Sequence, residues 1–344
     1  MTIRSNDDIE RFPLDPELLP GASNAVRQCL RIQPHERVTL ITDEASLAIC
    51  RALADQIREV GSHYRLFVLE DHAERPLQHM PEAVLSSMES SQVSLFAAQA
   101  GPGELGARME MMVIVNRLKL RHAHMVNISK EIMMQGMRAD FRAVDLLSSQ
   151  LIERARKAAK IKATSTAGTD LVAEFSPHLC WIKTSGLIGT DKWGNLPGGE
   201  IFTSPLQVNG VFAVDGVVGD YLCSRYGDLR ETPLQIEISD GRIRHLSCEN
   251  EELLDHFTDY TSVDSNSNRV GEFAIGTNLW VKDVIGNILQ DEKIPGVHIA
   301  FGHPYSEHTG QDWTSSTHID CVGRCFDVWM DEAQVMKEGQ FLLS

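Results

Sequence analysis

Two regions of unlike periodicity divide this chain, and that division limits what it can fold into more than any single motif does. From Arg37 to Ala159, short apolar runs alternate with helical patterns. Arg37–Ile41 reads as a buried strand. Ala45–Val60 then places Leu47, Ile49, Cys50, Leu53, Ile57 and Val60 near one helical face, and Gly61 follows where helices commonly stop. Tyr64–Leu69, Val93–Ala97 and His124–Ile128 read as further strands, separated by helices over Pro81–Met88 and Glu104–Leu118. Phe141–Ala159 reads as a long closing helix. Strand–helix alternation of this kind predicts a mostly parallel sheet covered by helices.

Beyond it, Gly, Asn, Asp and Pro become frequent and helices become rare. Gln235–Ile238 and Ile243–Leu246 flank Ser239-Asp240-Gly241-Arg242, a strong hairpin signal. Cys325–Met330 followed by Asp331-Glu332 suggests another. Glu251–Tyr260 has the pattern of a helix, with Asn250 placed to cap it. The expected fold class is therefore α/β. A Rossmann-like α/β domain over residues 1–165 is followed by a mixed, β-rich α+β domain over residues 166–344.

With 344 residues, the chain is long enough for two ordinary domains. Its 48 acidic against 32 basic side chains give a formal charge of −16, which repels phosphate backbones and argues against nucleic acid as a partner. No apolar run approaches the length of a membrane span. The seven cysteines are odd in number and scattered. Cys321 and Cys325 lie four apart, but no second pair completes a zinc knuckle. Together with the polar N-terminus Met-Thr-Ile-Arg-Ser-Asn-Asp-Asp, this sets the expectation of free thiols in a reducing, cytoplasmic compartment.

One motif is a decoy. Gly101-Pro102-Gly103-Glu104-Leu105-Gly106 matches the glycine fingerprint of dinucleotide sites. It follows the third strand rather than the first, and the acid that should bind ribose, Glu131, comes late. A tight turn opening a helix accounts for the same letters, and no nucleotide cofactor is expected.

Four segments of the second half carry Lewis bases of the kind that metals need. In Trp193–Pro205, Glu200 follows a Gly-rich turn and precedes the apolar pair Ile201-Phe202. In Val270–Asn278, Glu272 opens an apolar strand closed by Gly276, and alternation puts it on one face with Ala274, a small neighbour that leaves room. Val297–His308 holds His298 at the start of a strand, Tyr305 seven residues on, and His303, Glu307 and His308 near by. In Ser316–Val322, His318 and Asp320 form a His-x-Asp pair whose side chains share a strand face. Each has a bland counterpart: an edge-strand glutamate, a charge at a strand end, a satisfied core histidine, a common two-residue spacing.

Their order and combination say more. The segments Asn195–Pro205, Glu272–Asn278, His298–Tyr305 and His318–Asp320 resemble, in that order, the motifs of the metallo-aminopeptidases of the aminopeptidase T and S type, the M29 peptidases. Ala167–Leu171 is similar to the segment that opens their C-terminal domain. The resemblance implies metal ligands at Glu200, Glu272, His298, His318 and Asp320, an active-site Tyr305, two divalent ions such as zinc, cobalt or manganese, and a homodimer. It implies cleavage of an N-terminal residue from a short peptide or a small amide, with Glu200 or Glu272 moving the proton. His303 and the stretch Ser306–Gly310 depart from the peptidase pattern, as does Cys321–Arg324. The 2,5-dihydroxypyridine dioxygenases share this fold and hold one iron(II) through two histidines and one aspartate. For that alternative His318 and Asp320 match, and His298 would have to stand in where this chain has Glu272. A binding module with a structural metal is a third possibility, but such sites favour cysteine-rich spheres.

Overall fold

The computed structural model describes residues 3–190 and 192–342. The chain divides into two units, Met1–Ala143 with Gly186–Gly198, and Val144–Ser185 with Gly199–Ser344. Residue 165, where the sequence suggested a boundary, lies inside the second unit. In chain order the strands are β1 (Arg37–Thr42), β2 (His63–Val68), β3 (Val93–Ala98), β4 (Arg121–Val126), β5 (Lys160–Ser165), β6 (Asp170–Glu174), β7 (Ile182–Lys183), β8 (Gly194–Asn195), β9 (Glu200–Thr203), β10 (Gln207–Val214), β11 (Leu234–Ser239), β12 (Arg242–Ser247), β13 (Val270–Gly276), β14 (Gly296–Gly302), β15 (His318–Val322), β16 (Phe326–Met330), β17 (Ala333–Lys337) and β18 (Gln340–Phe341).

The first unit is the expected parallel α/β layer, with sheet order β2-β1-β3-β4-β8 and every pairing parallel. β3 is buried at every residue, as strands covered on both faces must be, which is why it reads as an unbroken apolar run. Helix Leu47–Glu59 buries Ile49, Cys50, Leu53 and Ile57. Ligands of open α/β sheets bind beyond the carboxyl ends of the strands, where the order reverses. At these strand ends, backbone N–H groups are bonded to the protein's own carboxylates. Asp43, at the end of β1, accepts the N–H of Gln99 at 2.6 Å and that of Ser46 at 2.9 Å. Glu104 accepts the N–H groups of Gly101 and Leu77, each at 2.8 Å, and pairs with Arg75 at 2.5 Å. The amide that a pyrophosphate would need is thus occupied by a carboxylate, which explains the decoy.

The second unit is two antiparallel sheets: β12-β11-β10-β6-β5-β16-β17-β18 and β15-β14-β13-β9-β7. One apolar core joins them, built from Ile161, Leu171 and Phe212 of the larger sheet and Ile201, Phe273, Ile299 and Ile319 of the smaller. Both hairpins form. Ser239 pairs with Arg242 across Asp240 and Gly241, whose φ values are 54° and 69°, and Met330 pairs with Ala333. Asn250 caps helix Glu251–Tyr260 by accepting the N–H of Leu253 at 3.1 Å. The closing helix is Phe141–Ala155, shorter than expected, because Lys160 already begins β5. Among the described residues no helix is long and apolar enough to cross a membrane.

Candidate metal centre

Alternation along four adjacent strands builds the site. Ile201, Phe273, Ile275, Ile299, Ile319 and Cys321 enter the core between the sheets. The residues between them, Glu200, Glu272, His298, His318 and Asp320, therefore share the opposite face of the small sheet. Registry brings them level: Gly276 lies opposite Glu200, Ala274 opposite His298, and Ala300 opposite both Glu272 and Asp320. Ala274 and Ala300 are small neighbours on that face, and Gly276 admits the Ile294 carbonyl, which would lie 1.9 Å from a β-carbon there. At the entrance to β9, Gly199 has φ +133°, and a β-carbon there would meet the Asn278 side chain at 2.6 Å, so the residue before Glu200 must be glycine.

The five expected residues do come together. His298 Nε2 lies 3.4 Å from Glu200 Oε2 and 3.5 Å from Glu272 Oε1. It is fully buried yet aligned with neither as a hydrogen bond. His318 Nε2 lies 3.4 Å from Asp320 Oδ1 and 4.0 Å from Glu272 Oε2. The other ring nitrogen of His318 donates to the carbonyl of His303 at 2.9 Å, which turns Nε2 toward the carboxylates. Tyr305 packs its ring 4.8 Å from that of His318 and 5.8 Å from Phe202. Glu307 and His308 are exposed and lie 3.8 Å apart, a solvated loop pair.

Three further residues complete the cluster without having been read from the sequence. Glu292 groups with Glu200 and His298, as Glu272 and Asp320 do with His298. Lys293 is 1% exposed; its ammonium lies 2.7 Å from Glu200 Oε1 and also contacts Glu292. Thr184 donates to Glu200 Oε1 at 2.7 Å. Asp291-Glu292-Lys293 reads as an ordinary charged turn. The one local signal is that it sits between apolar pairs, six residues before His298.

The charges are strongly coupled. Burial pushes Glu292 up to about 8 despite Lys293, and it raises Glu272 as well. Burial opposes ionisation of Asp320 too, but His318 holds that carboxyl at about 2, while Asp320 and Glu272 lift His318 to about 10 against the same burial. Burial and then Glu272 and Asp320 raise the Tyr305 phenol well above its ordinary range. Four carboxylates with one fixed cation and an orphaned buried imidazole nitrogen form a donor set that fits divalent cations. A donor–donor spacing near 3.4 Å leaves room for an ion bonded at about 2.0–2.2 Å to each.

No curated protein matches the sequence. Among solved structures, AmpT from Thermus thermophilus superposes with a TM-score of 0.68 at 17% identity, covering 95% of this chain and 99% of its own. The 2,5-dihydroxypyridine dioxygenase from Pseudomonas putida KT2440 superposes with a TM-score of 0.66 at 15% identity, covering 99% of both chains. At such identities the likeness concerns the fold. The family model for thermophilic metalloproteases (M29) matches residues 145–325, a stretch that contains every donor named above. That match spans just over half of the chain, which belongs to the M29 metalloprotease family.

Proposed function

We propose that the chain is an aminopeptidase-like hydrolase that cleaves an N-terminal peptide bond or a small amide with water activated at two divalent cations. The observation that carries this is the His298 Nε2 atom, buried, unbonded and set between Glu200 and Glu272. Glu200, Glu272, Glu292, His298, His318 and Asp320 are the residues that would hold the cations. Zinc, cobalt and manganese all suit such donors. When bound, the cations polarise the scissile carbonyl and lower the pKa of a water toward neutrality.

The protein's own groups do the rest. Tyr305 packs its ring beside His318, which places the phenol to donate to the oxyanion as charge develops. A carboxylate of the cluster, Glu200 or Glu272 or the neighbouring Glu292, would carry a proton to the leaving amine. Lys293 and Thr184 hold Glu200 in one orientation. The seven cysteines are free, in keeping with a reducing cytoplasmic compartment, and the resemblance to the peptidases supports a homodimer.

The test is metal content by elemental analysis, followed by turnover of aminoacyl p-nitroanilides and short peptides. About two zinc, cobalt or manganese ions per chain are expected. Glu272→Ala should abolish turnover with the circular dichroism spectrum unchanged; full activity in that variant sinks the assignment. His298, His318 and Asp320 also supply the two histidines and one carboxylate of a mononuclear iron oxygenase. A single iron per chain and oxygen-dependent turnover of a hydroxylated aromatic ring would establish that second reading instead.

A further inference from the structure

Tyr305 stands in the left-handed region, with φ 49° and ψ 54°. A residue with a β-carbon takes that conformation only where its surroundings hold it. On its carbonyl side, the N–H groups of His308 and Thr309 each donate at 2.8 Å. Its own N–H donates to Nδ1 of the His303 ring at 3.0 Å. The imidazole nitrogen is thus the acceptor of this bond. The bond spans two residues, as in the turns that Asn and Asp side chains make with their own backbone.

His303 is itself fixed by the sheet. Its N–H donates to the Thr317 carbonyl at 2.6 Å and its carbonyl accepts from His318 Nδ1. Gly302 before it has φ +100°, and a β-carbon there would lie 2.1 Å from the Thr317 oxygen, so only glycine fits where the chain leaves β14. The His303 and Tyr305 rings then meet edge to face, with centroids 5.6 Å apart at 72°.

We infer that His303 is a positioning residue for Tyr305: its Nδ1 fixes the left-handed turn that sets the phenol beside His318. The inference rests on the reading of Tyr305 as the group that donates to the oxyanion. Asn can replace the acceptor from nearly the same position, and Ala cannot.

The variants H303A, H303N, Y305F and H303A/Y305F test this in the metal-loaded full chain on aminoacyl p-nitroanilides. H303A should lower kcat on the order of tenfold, the cost of one hydrogen bond to a buried group, with KM and metal content little changed. H303N should recover most of the loss, and H303A should add nothing in the Y305F background. A second readout needs no turnover. With 4-13C-tyrosine labelling of the five tyrosines, the Tyr305 resonance, assigned by Y305F, should shift in H303A and return in H303N. Wild-type kcat in H303A, an unmoved Tyr305 resonance, or H303N as impaired as H303A overturns the inference. So does loss of metal along with kcat, which would assign His303 to anchoring His318. Full activity in Y305F refutes the role given to Tyr305, whereas an impaired Y305F beside an unaffected H303A refutes His303 alone.

Discussion

Removing the charge of Glu272 should have opposite effects with and without metal. In the metal-free protein, burial raises the Glu272 carboxyl above its ordinary value. A carboxyl raised in the folded state favours folding in its protonated form below its unfolded pKa, and that advantage is lost as the pH rises through the raised value. At pH 7, above the unfolded-state value, the carboxyl therefore opposes folding relative to a neutral side chain of the same shape. Glu272→Gln keeps the shape and removes the charge, so the metal-free variant should melt at or above the wild-type temperature. Metal reverses the order. Wild type at one hundred times its dissociation constant gains about 2.7 kcal/mol. For a unit of roughly this size, about 2–4 °C per kcal/mol translates that into about 5–11 °C. A variant whose affinity falls about a hundredfold gains about 0.4 kcal/mol at the same concentration, or less than about 2 °C. Differential scanning calorimetry at pH 7, with chelator and then with zinc, cobalt or manganese, reads both halves. An equal metal-induced shift in the two proteins refutes Glu272 as a ligand. A metal-free variant far less stable than wild type refutes the electrostatic argument and makes Glu272 a structural acceptor.

Two other perturbations follow from the buried charges. Lys293→Met leaves Glu200 and Glu292 without their fixed cation and should cost about 3–5 kcal/mol in urea unfolding of the metal-free protein, with part of it restored by metal; an unchanged midpoint would show that the lysine is not needed to neutralise the cluster. In the first unit, burial would raise Glu104, but Arg75 and the two backbone N–H groups hold it at about 2. Its stabilising effect is present above about pH 4.5 and lost as the pH falls through about 2, so Glu104→Gln should cost about 1–2 kcal/mol at pH 7, allowing for solvent screening, and nothing at pH 2. A cost that does not shrink on acidification contradicts that account.

What could be read in the sequence was whatever had a period. Glu272 and Ala274 on one face of an apolar strand, and His318 with Asp320, follow from alternation alone, and the strands that carry them formed where expected. Glu292 and Lys293 had no such signal. They follow the four-residue helix Ile288–Asp291, too short to show a face. Asp291 beside them is turned away, accepting the N–H groups of Ile285, Gly286 and Asn287, so it shares no partner with Glu292 and Lys293, which contact each other. β4 begins at Arg121, before the apolar letters start, because His122 is buried and bonded to Ser94 at 2.8 Å. β8 is two residues long and exists only through its pairing with β4. A pattern of apolar letters cannot reveal a buried histidine with a partner elsewhere in the sheet.

The amount of buried negative charge bears on which chemistry the face can support. A single iron held by two histidines and one aspartate would use His298, His318 and Asp320. Glu200 and Glu272 would then remain as buried carboxylates and Glu292 as a half-buried one, with Lys293 as their fixed cation. Burying an uncompensated carboxylate costs several kcal/mol, and nothing in a mononuclear oxygenase site would recover it. Protonation could relieve Glu272 and Glu292, whose pKa values are raised, but Glu200 is lowered, against its burial, chiefly by Lys293 and His298. Glu200 therefore stays ionised with its second oxygen 3.4 Å from the unbonded His298 nitrogen. The three-residue iron set, which includes His298, would use that nitrogen but leave that oxygen without a cation. A centre with two cations uses both, and it spreads the remaining charge over ions rather than over protons that would have to leave before a carboxylate could serve as a base. For the hydrolase proposed above, Glu200 is the carboxylate that the mononuclear reading leaves without a cation to hold.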